Sequence, residues 1–239
     1  MSSTIEKNDV DISRLFYYGN KFDILGLNKQ VIMSIYIRLV GDAELNKARV
    51  FALRSSMEMR NQLKDKNSEL HKAFIMDSYS DIEKDDLIQL IINYTSSSIA
   101  RDSIDDVKLP LPVEPKSDAD LEEQEEYQKA VDDYPLKRFA LIREKIEQKT
   151  EEKKHELSQK THEELEKEYV ATMIASMCEQ EMINKFKAMC AYLGTYKDSK
   201  YKTKLFTSYE DFDNILPEIK QQIIDSYSSL EMSSDELKK

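Results

Sequence analysis

The chain has 239 residues, of which 40% are hydrophobic, 34% charged and only 4 glycine, and its formal net charge is −11. That length holds one large domain or two small ones, and the charge excess points to long solvated helices joined by few tight turns. The negative average field disfavours phosphate backbones, and no run approaches the roughly 20 apolar residues needed to span a bilayer, so neither nucleic acid nor membrane is an expected partner.

Residues 1–10 are polar and offer no apolar core of a signal peptide, which gives a cytosolic expectation with a disordered tail over 1–12. Residues 13–103 read as a small β plus helical N-terminal domain. Leu15-Phe16-Tyr17-Tyr18 suits a strand, Gly19-Asn20 a turn, and Phe22-Asp23-Ile24 the returning strand. Over 31–40, Ile35, Ile37 and Leu39 alternate with Ser34, Tyr36 and Arg38, so 14–40 reads as a small antiparallel sheet. A helix over 28–39, capped at Leu27-Asn28, is the rival. Asp42 is expected to cap the next helix, because its carboxylate can accept from free backbone N–H groups of the first turn. Leu45, Ala48, Ala52, Met59 and Leu63 follow at helical spacing, and Lys47, Arg49, Arg54, Arg60 and Lys64 decorate the same helix. A short helical piece is predicted over 68–76. A further helix starts at Ser80-Asp81, carries the stripe Leu87, Leu90, Ile91 and Tyr94, and dissolves in Thr95-Ser96-Ser97-Ser98.

Leu109-Pro110-Leu111-Pro112-Val113-Glu114-Pro115 excludes helix, since proline lacks the donor and biases its predecessor to extended backbone, and 104–117 reads as a linker. A long charged and amphipathic helical region is predicted over 118–195. It opens on acids, is broken or kinked at Pro135, and resumes with a thin seam of Phe139, Ile142, Ile146 and Leu157. Thr150 and Lys153 interrupt that seam, so a strong coiled coil fails midway and half of a helical hairpin fits better. Thr161-His162-Glu163-Glu164 matches a capping box. The helix after it is the most apolar, with Tyr169, Met173, Ile174, Met177, Phe186, Met189, Cys190 and Leu193, and Gly194 suits a left-handed terminus. In the C-terminal segment 196–239, Thr207-Ser208-Tyr209-Glu210 opens a turn. A helix over 217–230 buries Ile219, Ile223, Ile224, Tyr227 and Leu230, and the tail from 232 is loose. The predicted fold class is mainly α with a small N-terminal antiparallel β element and a long charged helix or helical hairpin in the middle.

Chemistry is scarce. The four glycines are isolated, so no phosphate-cradling loop can form. His71, His155 and His162 make no HExxH, and no GxSxG elbow exists. The acid clusters lie in hydrophilic runs where nothing would raise a carboxyl pKa. No enzyme activity, cofactor or metal is therefore expected. Cys178 and Cys190 stand 12 apart in one predicted helix, about 18 Å along its axis, and read as core thiols rather than a disulfide. The lysines of 197–204 interleave with tyrosines, which suits single-stranded nucleic acid or a loop pairing with acidic helices of the same chain. Met173, Met177, Met182 and Met189 make either an adaptable binding face or core.

Two stretches carry a resemblance. The run from Ile35-Tyr36-Ile37-Arg38-Leu39-Val40-Gly41-Asp42 to Arg49 resembles the strand-then-helix opening of certain bacteriophage tail-assembly proteins. The run Leu205-Phe206-Thr207-Ser208-Tyr209-Glu210-Asp211-Phe212, with Leu216-Pro217-Glu218-Ile219 and the closing helix, is similar to the C-terminal part of phage tail assembly chaperones. The resemblance covers about a third of the chain. It implies a non-enzymatic helper in the host cytoplasm that binds tape measure or tail tube subunits. Met173, Met177, Phe186 and Met189 are the first candidate contacts, and the helix face with Lys47, Arg54 and Arg60 is the second. A structural virion component (neck, baseplate or inner protein) is the alternative, and a small regulatory nucleic-acid binder the next. Homo-oligomerisation stays open.

Overall fold

The structure, a computed structural model, describes residues 19–26, 28–76, 78–115 and 120–236. The expected tail over 1–12, the strand at Leu15-Phe16-Tyr17-Tyr18 and the last residues, 237–239, lie outside them. The described chain is mainly helical with a small antiparallel sheet, the predicted class. Its two compact units are 1–61 with 178–239, and 62–177. This division is not the sequential one expected, and the Pro-rich segment falls inside the second unit.

In the first unit, β1 (Gly19–Leu25) and β2 (Val31–Arg38) form an antiparallel hairpin, and β3 (Thr195–Tyr196) adds to the other edge of β2. The sheet reading of 31–38 holds and the helical rival falls. The turn is not at Gly19-Asn20, which belong to β1. It lies at 26–30, where the Gly26 and Lys29 amides donate to Gln30 and Gly26 carbonyls at 2.9 Å and Lys29 takes a φ of 58°. Ile35 and Ile37 alternate inward as predicted and join Ile24, Ala191, Phe212, Ile223 and Leu230 in one core.

Helix α1 (Asp42–Lys64) starts one residue earlier than its expected cap implies. The Gly41 carbonyl accepts from the Glu44 and Leu45 amides at 2.9 Å each, and the Glu44 carboxylate accepts from the Gly41 amide at 3.2 Å. Asp42 is thus the first helical residue, and Glu44 is the side chain that closes the cap. At the other end of the chain, α6 (Tyr209–Asp213) opens on a capping box between Ser208 and Asp211. α7 (Pro217–Glu236) packs on β1 and β2, burying Ile223, Tyr227 and Leu230 with Ile219 and Ile224 half-buried. It runs past the expected start of the loose tail. The Gln222 amide of α7 bonds both the amide (2.8 Å) and the carbonyl (2.9 Å) of Leu25, closing that part of the sheet edge.

In the second unit, α2 (Glu69–Phe74) is the predicted short piece, capped by Ser68. α3 (Lys84–Asp106) starts later than Ser80-Asp81, behind a turn in which the Ile82 amide donates to Tyr79. It also does not dissolve at 95–98. The hydroxyls of Thr95, Ser96 and Ser98 bond carbonyls of their own helix at 2.8–3.1 Å, which removes them as competitors for the ladder. The extended linker is therefore 107–115 among the described residues.

The acidic region is one helix, α4 (Leu121–Ser158), which continues through Pro135. That ring is exposed, so water can hydrate the carbonyl it leaves unpaired. α4 packs along α3 as a helical hairpin and turns at 159–161 into α5 (His162–Gly194), with the predicted reciprocal bonds between Thr161 and Glu164 in place. Leu87, Ile91, Leu157 and Leu165 are fully buried in the core here, beside Tyr169, whose ring meets Tyr79 edge-on at 5.1 Å. Gly194, the last residue of α5, does not take a left-handed φ. It is small for another reason: a Cβ there would lie 2.6 Å from the Arg38 carbonyl and 3.0 Å from the Tyr227 ring.

Candidate protein-binding surface

α1 carries apolar side chains on two opposite sides. On the inward side Leu45 and Ala48 pack into the core, Ala52 is buried, the Phe51 ring meets Tyr209 at 4.6 Å, Ser55 donates to Glu181 at 2.7 Å, and Ser56 donates to the Cys178 carbonyl at 2.8 Å. A second apolar set faces outward, with Val50 51%, Leu53 53% and Met57 57% exposed. At about 100° per residue these three fall within roughly 60° of one another. Lys47 and Arg54 flank them on one side and Arg60 on the other, all exposed. Among the described residues no ion pair occupies Lys47, Arg54 or Arg60. The result is an apolar stripe with basic borders on a chain whose net charge is −11.

Sequence reading picked out Lys47, Arg54 and Arg60 but missed Val50, Leu53 and Met57. Their common angle on the helical wheel was the available signal, hidden because the inner residues share the same period.

The first candidate set behaves differently. Met173 is 4% exposed and packs with Leu165 and Tyr169, and Met177 lies half-buried against the same core. Phe186 and Met189 are half-buried against the core of the other unit. The spacing gives the reason: 173 and 177 lie roughly opposite 186 and 189 on a helical wheel. The four do not make one face, and packing occupies them.

A polar cluster of the first unit is internal. Arg38, 8% exposed, donates to the Tyr196 hydroxyl at 2.7 and 3.1 Å, to the Leu39 carbonyl at 2.9 Å and to Glu44 at 2.9–3.0 Å. Burial would lower the Arg38 pKa, but the hydrogen bond and charge of Glu44 outweigh it and raise it. Burial likewise pushes the Glu44 carboxyl up, and Arg38 pulls it below its ordinary value. Lys204 donates to Tyr196 at 2.7 Å, lies over its ring at 4.1 Å, and stands 3.6 Å from Glu44. The loop 197–204 is folded around Asp198, which accepts from the amides of Lys200 and Thr203 at 3.0 and 2.8 Å. Tyr196 is thus buried under the chain's own cations and offers no stacking platform to a base.

A cavity of about 380 Å³ between α5, α6 and α7 is lined by Glu181, Lys185, Asp213 and Lys220. Three of its charges pair, Lys220 with Asp213 at 3.0 Å and Lys185 with Asp213 at 4.0 Å, and Glu181 accepts from Ser55. The neighbouring Tyr209 hydroxyl is buried without a partner, and burial, with Asp213 and Glu181 nearby, pushes it up to about 12. Both cysteines are free and buried. His71 and His162 bond carbonyls of Leu63 and Ile82 at 2.7 and 2.9 Å, and among the described residues no cluster of metal-ligating side chains forms. No helix among them is long and apolar enough to cross a membrane.

Comparison with known protein families, with curated proteins and with solved structures finds no match.

Proposed function

We propose that this chain is a non-enzymatic, protein-binding helper of bacteriophage tail assembly that engages tape measure or tail tube subunits in the host cytoplasm. The observation that carries a binding role is the outward apolar stripe of α1, because a helix whose inward side is already packed has no other use within its own unit for Val50, Leu53 and Met57, each more than half exposed. The tail-assembly part rests on the resemblance. Its two stretches, 35–49 and 205–219 with α7, are far apart in sequence yet belong to the same unit and supply Ile35, Ile37, Ala48, Phe212 and Ile223 to one core.

A structural virion component is the second reading. It is favoured by α4, where Leu136 and Phe139 are 71% and 69% exposed on one side of a 38-residue helix, as a permanent interface element would be. Affinity capture of the tagged protein from infected cells, followed by mass spectrometry and by the same measurement on mature particles, separates the two. Recovery with tape measure or tube protein and absence from particles is the expected result. Fixed stoichiometry in particles would make it a structural part, and capture without tail proteins would remove both.

A further inference from the structure

We infer that the α1 stripe docks an acidic amphipathic helix of a partner protein; this deepens the binding role proposed above. Three observations select that occupant. The surface is a continuous helix face, about 20 Å long from Lys47 to Arg60 at 1.5 Å per residue, which suits another helix laid along it rather than a compact ligand. Its apolar centre, Val50, Leu53 and Met57, recurs at three- and four-residue spacing, the repeat that an apolar helix edge matches. Its borders, Lys47, Arg54 and Arg60, are positive and unpaired among the described residues, so the matching helix carries acids beside its apolar edge.

The same borders disfavour a second copy of this chain. Two α1 faces laid together would bring like charges against each other while burying only three apolar side chains per copy. A contact this short belongs to the small, transient class of interfaces, with affinity sensitive to salt.

The test uses the full chain and a fluorescent synthetic helix of about 20 residues with leucine at i, i+4, i+7 and i+11 bordered by glutamate. A twin with lysine borders is the control. Anisotropy titration is expected to show saturable binding of the glutamate helix that weakens with added salt, and at least about tenfold weaker binding of the lysine helix. Leu53→Asp and the double variant Arg54→Glu/Arg60→Glu are each expected to weaken binding about tenfold or more, with circular dichroism unchanged. Leu53→Ala, which keeps helix propensity, should weaken it without threatening the fold.

Equal affinity for the two helices, no saturation, or indifference to these variants would overturn the inference. So would a dimer that Leu53→Asp dissolves in sedimentation, or stripe-dependent binding to anionic lipid vesicles, since a basic amphipathic face is also read by membranes. Capture of tail proteins that persists in the Leu53→Asp chain would sink this surface and leave the assembly role standing. Peptide binding without tail-protein capture would do the reverse.

Discussion

In the first unit a guanidinium sits inside the fold, locked between a carboxylate, a phenol and a backbone carbonyl, with Arg38 only 8% exposed. In the second, the core is built on Leu87, Ile91, Leu157 and Leu165, the buried polar side chain among the described residues is the uncharged Ser103, and the charges stay on the rim. There Lys153 and Lys160 converge on Glu168 with side chains about a quarter exposed. A buried pair is indispensable once made, because losing one partner strands the other, whereas rim pairs are individually worth little. The first unit adds a buried ion pair, bonded to the distant Tyr196, to its apolar core, whereas the second keeps its ion pairs at the surface of its own.

Glu44→Ala should break this contrast most violently. It removes the carboxylate that meets the Arg38 charge inside the fold, at an expected cost of about 3 to 5 kcal/mol. In hydrogen exchange, amides of β2 and α7 should lose protection while those of α3 and α4 keep theirs. Equal loss in both units would mean they do not differ in this way. Leu165→Ala is the mirror experiment. It opens a cavity at a fully buried position and should cost about 3 kcal/mol, with protection lost first in α3 and α4.

Gly194→Ala is smaller but decides a sign. Helix propensity alone would make alanine better by about 1 kcal/mol, since Gly194 ends α5 without a left-handed φ. The new Cβ would stand 2.6 Å from the Arg38 carbonyl, and backbone does not yield cheaply. The expected net loss is about 2 kcal/mol in urea unfolding. A stabilised variant would show that the close approach of α5 to β2 is not needed.

The same contrast explains what the sequence disclosed. Local rules worked where the cause is local: the alternation of Ile35 and Ile37, the Thr161 capping box, the spacing of Ile223, Tyr227 and Leu230. They failed where a distant group supplies the reason. Gly194 does end α5 as expected, but without the left-handed φ, and the reason for its smallness is the Arg38 carbonyl beside it. Arg38 falls on the face opposite Ile35 and Ile37 in the alternation, and its burial has no local sign because its partner Tyr196 lies 158 positions away. The serines after Tyr94 read as a helix end, although their hydroxyls bond back into the ladder. The stripe on α1 was half legible. Its charges were visible, but which apolar residues faced out depended on α5 taking the alanine side.

Alkaline pH gives the mildest test of the comparison. Burial, with the negative charge of Glu231 adding to it, pushes the Cys190 thiol up to about 12. Tyr209 rises to about 12, and burial raises Tyr227 as well. For a group that is neutral when protonated, a raised folded pKa means the folded state keeps its proton longer than the unfolded chain. The stabilisation is complete below the unfolded value and is lost as pH climbs toward the folded one. An unfolded thiol ionises near pH 8.5, so from there upward Cys190 should cost the first unit about 1.4 kcal/mol per pH unit, with the tyrosines joining above about pH 10. In Cys190→Ala the loss between about pH 8.5 and 10 should become shallower, whatever the variant's stability at neutral pH. Urea midpoints across that range measure it, and identical slopes for the two chains would mean that the ionisation of Cys190 is not what makes the first unit sensitive to alkali.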